Sequence, residues 1–94
     1  MRRLIRVRLT AQLKDLAGGA REVELDSAED LGSAVRKLDV SFPGIERRIM
    51  DDQGTIRPHV NVFVNSENSR DLQREQTRLK DGDLVQILPA VSGG

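Results

Sequence analysis

Ser27-Ala28-Glu29-Asp30-Leu31-Gly32-Ser33-Ala34-Val35-Arg36-Lys37-Leu38 lies between two pairs of alternating apolar segments. Leu31, Ala34, Val35 and Leu38 recur at i, i+3, i+4 and i+7, one apolar stripe of a helix. Ser27 is placed to cap it, and Asp30 three residues on completes a capping-box pattern. The helix should stop before Pro43-Gly44. Glu46 to Met50 reads as a second short helix, and Asp51-Asp52-Gln53-Gly54 as loop.

Upstream, Ile5, Val7 and Leu9 alternate with Arg6 and Arg8, the period-two signal of a half-buried strand. Gly18-Gly19 marks a turn, and Arg21 to Leu25 alternates again with Val23 and Leu25 on one face. These two strands read as a hairpin whose connection, Ala11 to Ala17, has room for one short helical turn. Downstream, His59 to Val64 is the clearest strand, with Val60, Val62 and Val64 on one face and Asn61 and Phe63 on the other. A polar stretch from Asn65 to Lys80 follows, anchored by Leu72 and Leu79. Asp81-Gly82 is a turn signal. Leu84 to Leu88 is the last strand, with Val85 and Ile87 inward. Pro89 ends it, because proline lacks the ladder donor.

The order is therefore β-β-α-β-β. One substantial helix laid across one face of a mixed sheet gives an α+β fold of the β-grasp, or ubiquitin-like, type. Periodicity alone also admits another small α+β roll. Residues 1–88 form the domain, and residues 89–94 a flexible C-terminal tail ending in diglycine.

A chain of 94 residues is one domain. Aromatic residues are only 2%, with no Trp or Tyr, so Leu, Val and Ile must build the core. The 15 Lys and Arg balance the 15 Asp and Glu. Dedicated nucleic-acid binders usually carry a basic excess, so that class is disfavoured. No apolar run approaches the ~20 residues that span a bilayer. Met1-Arg2-Arg3 has no apolar stretch behind it, which argues against a signal peptide. The expectation is a cytoplasmic protein acting on neither membrane nor nucleic acid. Cysteine is absent, which excludes disulfides, thiolate zinc sites, cysteine nucleophiles and the iron–sulfur centre of a β-grasp ferredoxin.

The ending Ile87-Leu88-Pro89-Ala90-Val91-Ser92-Gly93-Gly94 is the most specific feature. A terminal Gly-Gly arises by chance in roughly 0.5% of chains, given glycine near 7%, and glycine tails are often only frayed ends. Here the diglycine follows a strand, a proline and small residues. Gly93 and Gly94 have no Cβ, so the backbone can enter a narrow channel. Ala90 and Ser92 are also small, and Pro89 directs the chain away from the sheet.

With Val60-Asn61-Val62-Phe63-Val64-Asn65 and Leu79-Lys80-Asp81-Gly82-Asp83, this ending resembles the ThiS/MoaD group of ubiquitin-like sulfur carriers over essentially the whole chain. Ile49-Met50-Asp51-Asp52 and Leu88-Pro89-Ala90-Val91 look like the carrier for cysteine biosynthesis in actinobacteria. Leu13-Lys14-Asp15-Leu16-Ala17-Gly18 instead looks like the molybdopterin synthase small subunit. The resemblance implies that the reactive group is the Gly94 carboxylate, adenylated and then converted to a thiocarboxylate. It implies an E1-like adenylating enzyme using ATP and Mg²⁺, with no cofactor bound by the carrier itself. The sulfur acceptor would be a cysteine-synthase-like enzyme or the molybdopterin synthase large subunit.

No nucleophile–base constellation supports an enzyme in its own right, so no catalytic residue is assigned. The chain also lacks both standard phosphate-binding glycine motifs. Phe63 is expected on the open sheet face with Leu84, Gln86 and Leu88, a docking patch in which Phe63, Leu84 and Leu88 are the apolar members. The alternative is that Phe63 packs under the 65–80 loop. His59 has no evident base partner and reads as a loop residue. Asp51-Asp52 and Asp81 with Asp83 are better explained by turn chemistry than by a metal. Arg2, Arg3, Arg6 and Arg8, and Arg47-Arg48, read as solvated or docking surface. Two other classes compete with the carrier: a ubiquitin-like modifier joined to lysine through Gly94, and a plain binding module with an irrelevant tail.

Overall fold

The computed structural model describes residues 3–89 of the chain. The alternating segments form strands β1 (Leu4–Leu9) and β2 (Glu22–Asp26), joined through helix α1 (Ala11–Leu16). Helix α2 (Leu31–Ser41) and the short α3 (Ile45–Ile49) follow, then strands β3 (Val60–Val64), β4 (Glu67–Asn68) and β5 (Leu84–Pro89). The polar stretch expected as loop thus contains a two-residue strand, and it continues into two 3-10 turns at Ser69–Asp71 and Arg74–Gln76.

The sheet order is β2-β1-β5-β3-β4. The outer pairings, β1 with β2 and β3 with β5 and β4, are antiparallel. The central β1–β5 pair is parallel. This mixed five-stranded sheet with one main helix on one face is the expected β-grasp arrangement. Side-chain alternation sets which face is covered. Ile5, Val7, Leu9, Val60, Val62, Val64, Val85 and Ile87 are all buried, as are Leu31, Ala34, Val35 and Leu38 of the α2 stripe. Leu79 is buried and Leu72 half-buried, so both anchor the 65–80 stretch.

The start of α2 corrects the sequence expectation. Ser27 is no cap: its φ is +68° and its hydroxyl donates to Asp26 Oδ1. Asp30 is the N-cap, its Oδ1 accepting from the Ser33 amide at 2.8 Å. Backbone pairing explains the displacement. Leu79 N donates to Glu29 O, Leu31 N donates to Thr77 O, and Asp30 bridges Arg78. Residues 29–31 are thus held against residues 77–79 before the helix can begin. Pro89 is itself the last residue of β5, one beyond Leu88, and stands opposite Val60 at the end of the ladder.

Candidate functional site

Gly94, Gly93, Ser92, Val91 and Ala90 lie outside the described residues. What the structure gives is the platform from which they continue. That platform is the end of β5, where Leu88 faces Asn61 and Pro89 faces Val60 across the β3–β5 ladder. β5 is a central strand, flanked by β1 on one side and β3 on the other. The Thr10 hydroxyl donates to the Ile87 carbonyl at 3.3 Å and ties the end of β1 to the same place.

One face of the sheet carries the core and the helices; the other carries none of the buried core. On it, Phe63 faces Gln86 in β5 and Asn68 in β4, and Leu84 faces Arg6 in β1. Phe63, Leu84, Gln86 and Leu88 are all half-buried, and the three apolar ones are not among the side chains packed on the core. Phe63 stands beside Gln86, whose same-face neighbours along β5 are Leu84 and Leu88. Diagonal neighbours on a sheet face lie about 7–8 Å apart, within reach of an aromatic ring. The structure therefore brings the three expected patch residues onto one surface that runs along β5 from Leu84 to Leu88.

Beyond β5 the same face becomes charged. Arg6 and Arg8 of β1 face Glu24 and Glu22 of β2, and Arg8 Nε meets Glu22 Oε1 at 3.1 Å. That pair is about half exposed, so it adds at most a fraction of a kcal/mol to stability. A groove of about 270 Å³ opens beside Leu88, lined by Arg8, Thr10, Arg21, Glu22 and Gln86.

His59 is exposed in the turn before β3. Asp51 Oδ1 accepts from the Gln53 and Thr55 amides. Asp81 Oδ1 accepts from the Leu4 amide, and Asp83 Oδ2 from the Lys80 amide. These carboxylates organise turns, as their spacing indicated.

Sequence reading missed the polar fastenings of the 65–80 stretch. Asn65 carries a positive φ of 58° and bonds both Asp83 and Leu84. Arg70 gathers four acceptors around the start of β3. The only signal for Asn65 was an asparagine directly after a strand, a residue that tolerates the left-handed region. Arg70 offered none, because its acceptors are mostly backbone carbonyls.

Comparison with known proteins agrees with this geometry. The sulfur carrier protein CysO of Mycobacterium tuberculosis is 36% identical over 92 residues, covering 96% of this chain and 98% of CysO. Small archaeal modifier protein 3 of Haloferax volcanii is 36% identical over 70 residues, 74% of this chain and 75% of that protein. Among solved structures, the BexX/CysO complex of Amycolatopsis orientalis superposes with a TM-score of 0.88 at 29% identity, covering 96% of this chain and 99% of the matched one. The model of the ThiS family matches residues 7–94, through the diglycine itself. The chain belongs to the ThiS family.

Proposed function

We propose that this protein is a sulfur carrier whose working group is the Gly94 carboxylate, and that it serves as a substrate of partner enzymes rather than as a catalyst. A carboxylate is a poor electrophile, because its leaving group would be oxide or hydroxide. Attack of a carboxylate oxygen on the α-phosphorus of ATP releases pyrophosphate and gives an acyl adenylate. Hydrosulfide then attacks the acyl carbon, AMP leaves, and loss of a proton gives a thiocarboxylate that hands its sulfur on; with a persulfide donor the first product is an acyl disulfide, from which a thiol frees the thiocarboxylate by thiol–disulfide exchange. An E1-like enzyme would supply ATP, Mg²⁺ and the adenylating site. The acceptor would be a cysteine-synthase-like enzyme or the large subunit of a molybdopterin synthase, and the setting the cytoplasm.

The observation that carries this reading is the match of the ThiS family model through Gly94. The CysO-like relatives and the placement of Pro89 at the end of a central strand support it. Intact mass spectrometry tests it. With an active E1-like enzyme, ATP and a sulfur source, the chain should gain the mass difference between sulfur and oxygen. A chain lacking Gly93-Gly94 should fold and show no shift. An unchanged full-length mass would refute the carrier role.

The similarity to small archaeal modifier protein 3 supports a second reading, a modifier joined to lysine amines. Both readings share the adenylate and part only at the nucleophile. Conjugates that retain Gly94 linked to a lysine, formed without any sulfur source, would favour the modifier.

A further inference from the structure

Strand β3 is covered unevenly. β5 pairs with its whole length, whereas β4 reaches only Phe63 and Val64. Among the described residues no strand flanks the other side of Val60 to Val62. The Arg70 guanidinium stands there instead. Its Nη2 donates to the carbonyls of Arg57, Pro58 and Val60 at 3.1, 3.0 and 3.0 Å. Its Nη1 donates to Asn61 Oδ1 at 2.6 Å. The Arg70 amide in turn donates to Asn68 Oδ1 at 3.0 Å, and neighbouring Ser69 is only 1% exposed, so the arginine is set on a fixed base.

The residues it holds are those that face the end of β5: Val60 opposite Pro89 and Asn61 opposite Leu88. Val60 and Pro89 are a pair whose backbone groups do not bond each other across the ladder, because the Val60 carbonyl turns away from β5 toward Arg70. A planar guanidinium with several fixed donors can serve converging carbonyls in a way a single ammonium cannot.

We propose that Arg70 is a positioning residue for the C-terminal tail. It stands in for the strand β3 lacks and holds Val60 and Asn61. Through them it fixes the line along which Leu88 and Pro89 deliver Gly94. This rests on the carrier reading. Five residues follow Pro89 and reach at most about 17 Å from it, so the point at which Pro89 leaves the sheet bounds where Gly94 can be presented. Misplacement of a reacting group by ~1 Å can lower a rate about a hundredfold.

Arg70→Met and Arg70→Lys in the full chain test the proposal by two readouts. In amide hydrogen exchange, Asn61 and Leu88 should exchange at least tenfold faster in both variants, with Val7 and Val85 unchanged. In thiocarboxylation by an E1-like enzyme with ATP and sulfide, kcat should fall at least fivefold while KM for the carrier stays within twofold. Uniformly faster exchange, unchanged exchange, or a KM effect without a kcat effect would each overturn it. So would faster local exchange with normal kcat, which would leave Arg70 a mere edge cap. Exchange is read without any enzyme. Failure of the wild-type chain to be activated would therefore count against the carrier reading, while the hold on β3 would still be decided.

Discussion

Asn65 and Leu84 bond each other in both directions. The Asn65 amide donates to the Leu84 carbonyl at 2.7 Å, and the Leu84 amide donates to Asn65 Oδ1 at 3.1 Å. The Asn65 Nδ2 also donates to Asp83 Oδ1, a carboxylate only 3% exposed. One side chain thus closes the ladder between β3 and β5 at the end opposite Pro89. It also satisfies a buried charge beside the Asp81-Gly82 turn.

Asn65→Ala should therefore destabilise the fold by roughly 2–3 kcal/mol: two hydrogen bonds are lost, one of them to a buried carboxylate, and alanine is strained at positive φ. Asn65→Gly removes the bonds without that strain. Denaturant unfolding of both variants should rank glycine between wild type and alanine. If glycine matches wild type, the side-chain bonds contribute nothing.

The helix cap gives a second test. Asp30→Ala removes the acceptor of the Ser33 amide and should cost about 1 kcal/mol. Ser27→Ala should not remove a cap, because its hydroxyl donates to Asp26 and not to the start of α2 among the described residues. Thermal melts that showed Ser27→Ala to be the more damaging by a comparable margin would reverse this assignment.

Those two sites show where the fold was legible in the chain and where it was not. The strands and the α2 stripe could be read because alternation and the i, i+3, i+4 pattern are local signals of burial. Val60, Val62, Val64, Leu31 and Leu38 obeyed them. The helix start was displaced because residues 29–31 bond residues 77–79, a partner nearly fifty positions away that no local pattern encodes. Arg70 and Asn65 were opaque for a similar reason: the partners of their side chains lie 9 to 19 positions away in the chain. The site divided similarly. The shared face of Phe63, Leu84 and Leu88 followed from strand alternation, while the hydrogen bonds that Asn65 and Arg70 make around β3 were hidden in a polar stretch.

Core substitutions check the inward face. Val62 and Val35 are each 2% exposed or less. Val62→Ala and Val35→Ala should each destabilise by roughly 1.5–3 kcal/mol through lost burial and a residual cavity. Gln73 is exposed, and Gln73→Ala should change stability by about 0.5 kcal/mol or less. Similar midpoint shifts for all three in chemical denaturation would contradict the burial pattern.

The last prediction separates the sheet face from the tail as the source of partner affinity. A terminal arm of small residues loses conformational entropy on entering an active site and has few side chains with which to offset that loss. Most of the binding energy should then come from the sheet face carrying Phe63, Leu84 and Leu88. Phe63 is the natural anchor. It is half-buried, not packed on the core, and it flanks Gln86 between the two leucines of β5. An aromatic at the centre of an interface often contributes about 2 kcal/mol or more on truncation, so Phe63→Ala should weaken binding to the proposed E1-like enzyme by about thirtyfold or more. The free variant should melt close to wild type, because the ring leaves no cavity in the core. Removing Gly93-Gly94 should do the opposite: binding stays within a few-fold and thiocarboxylation is lost. Calorimetric titration beside a thermal melt decides between the two. If Phe63→Ala binds normally, the docking surface lies elsewhere. If it loses stability as Val62→Ala does, Phe63 belongs to the packing of the 65–80 segment instead.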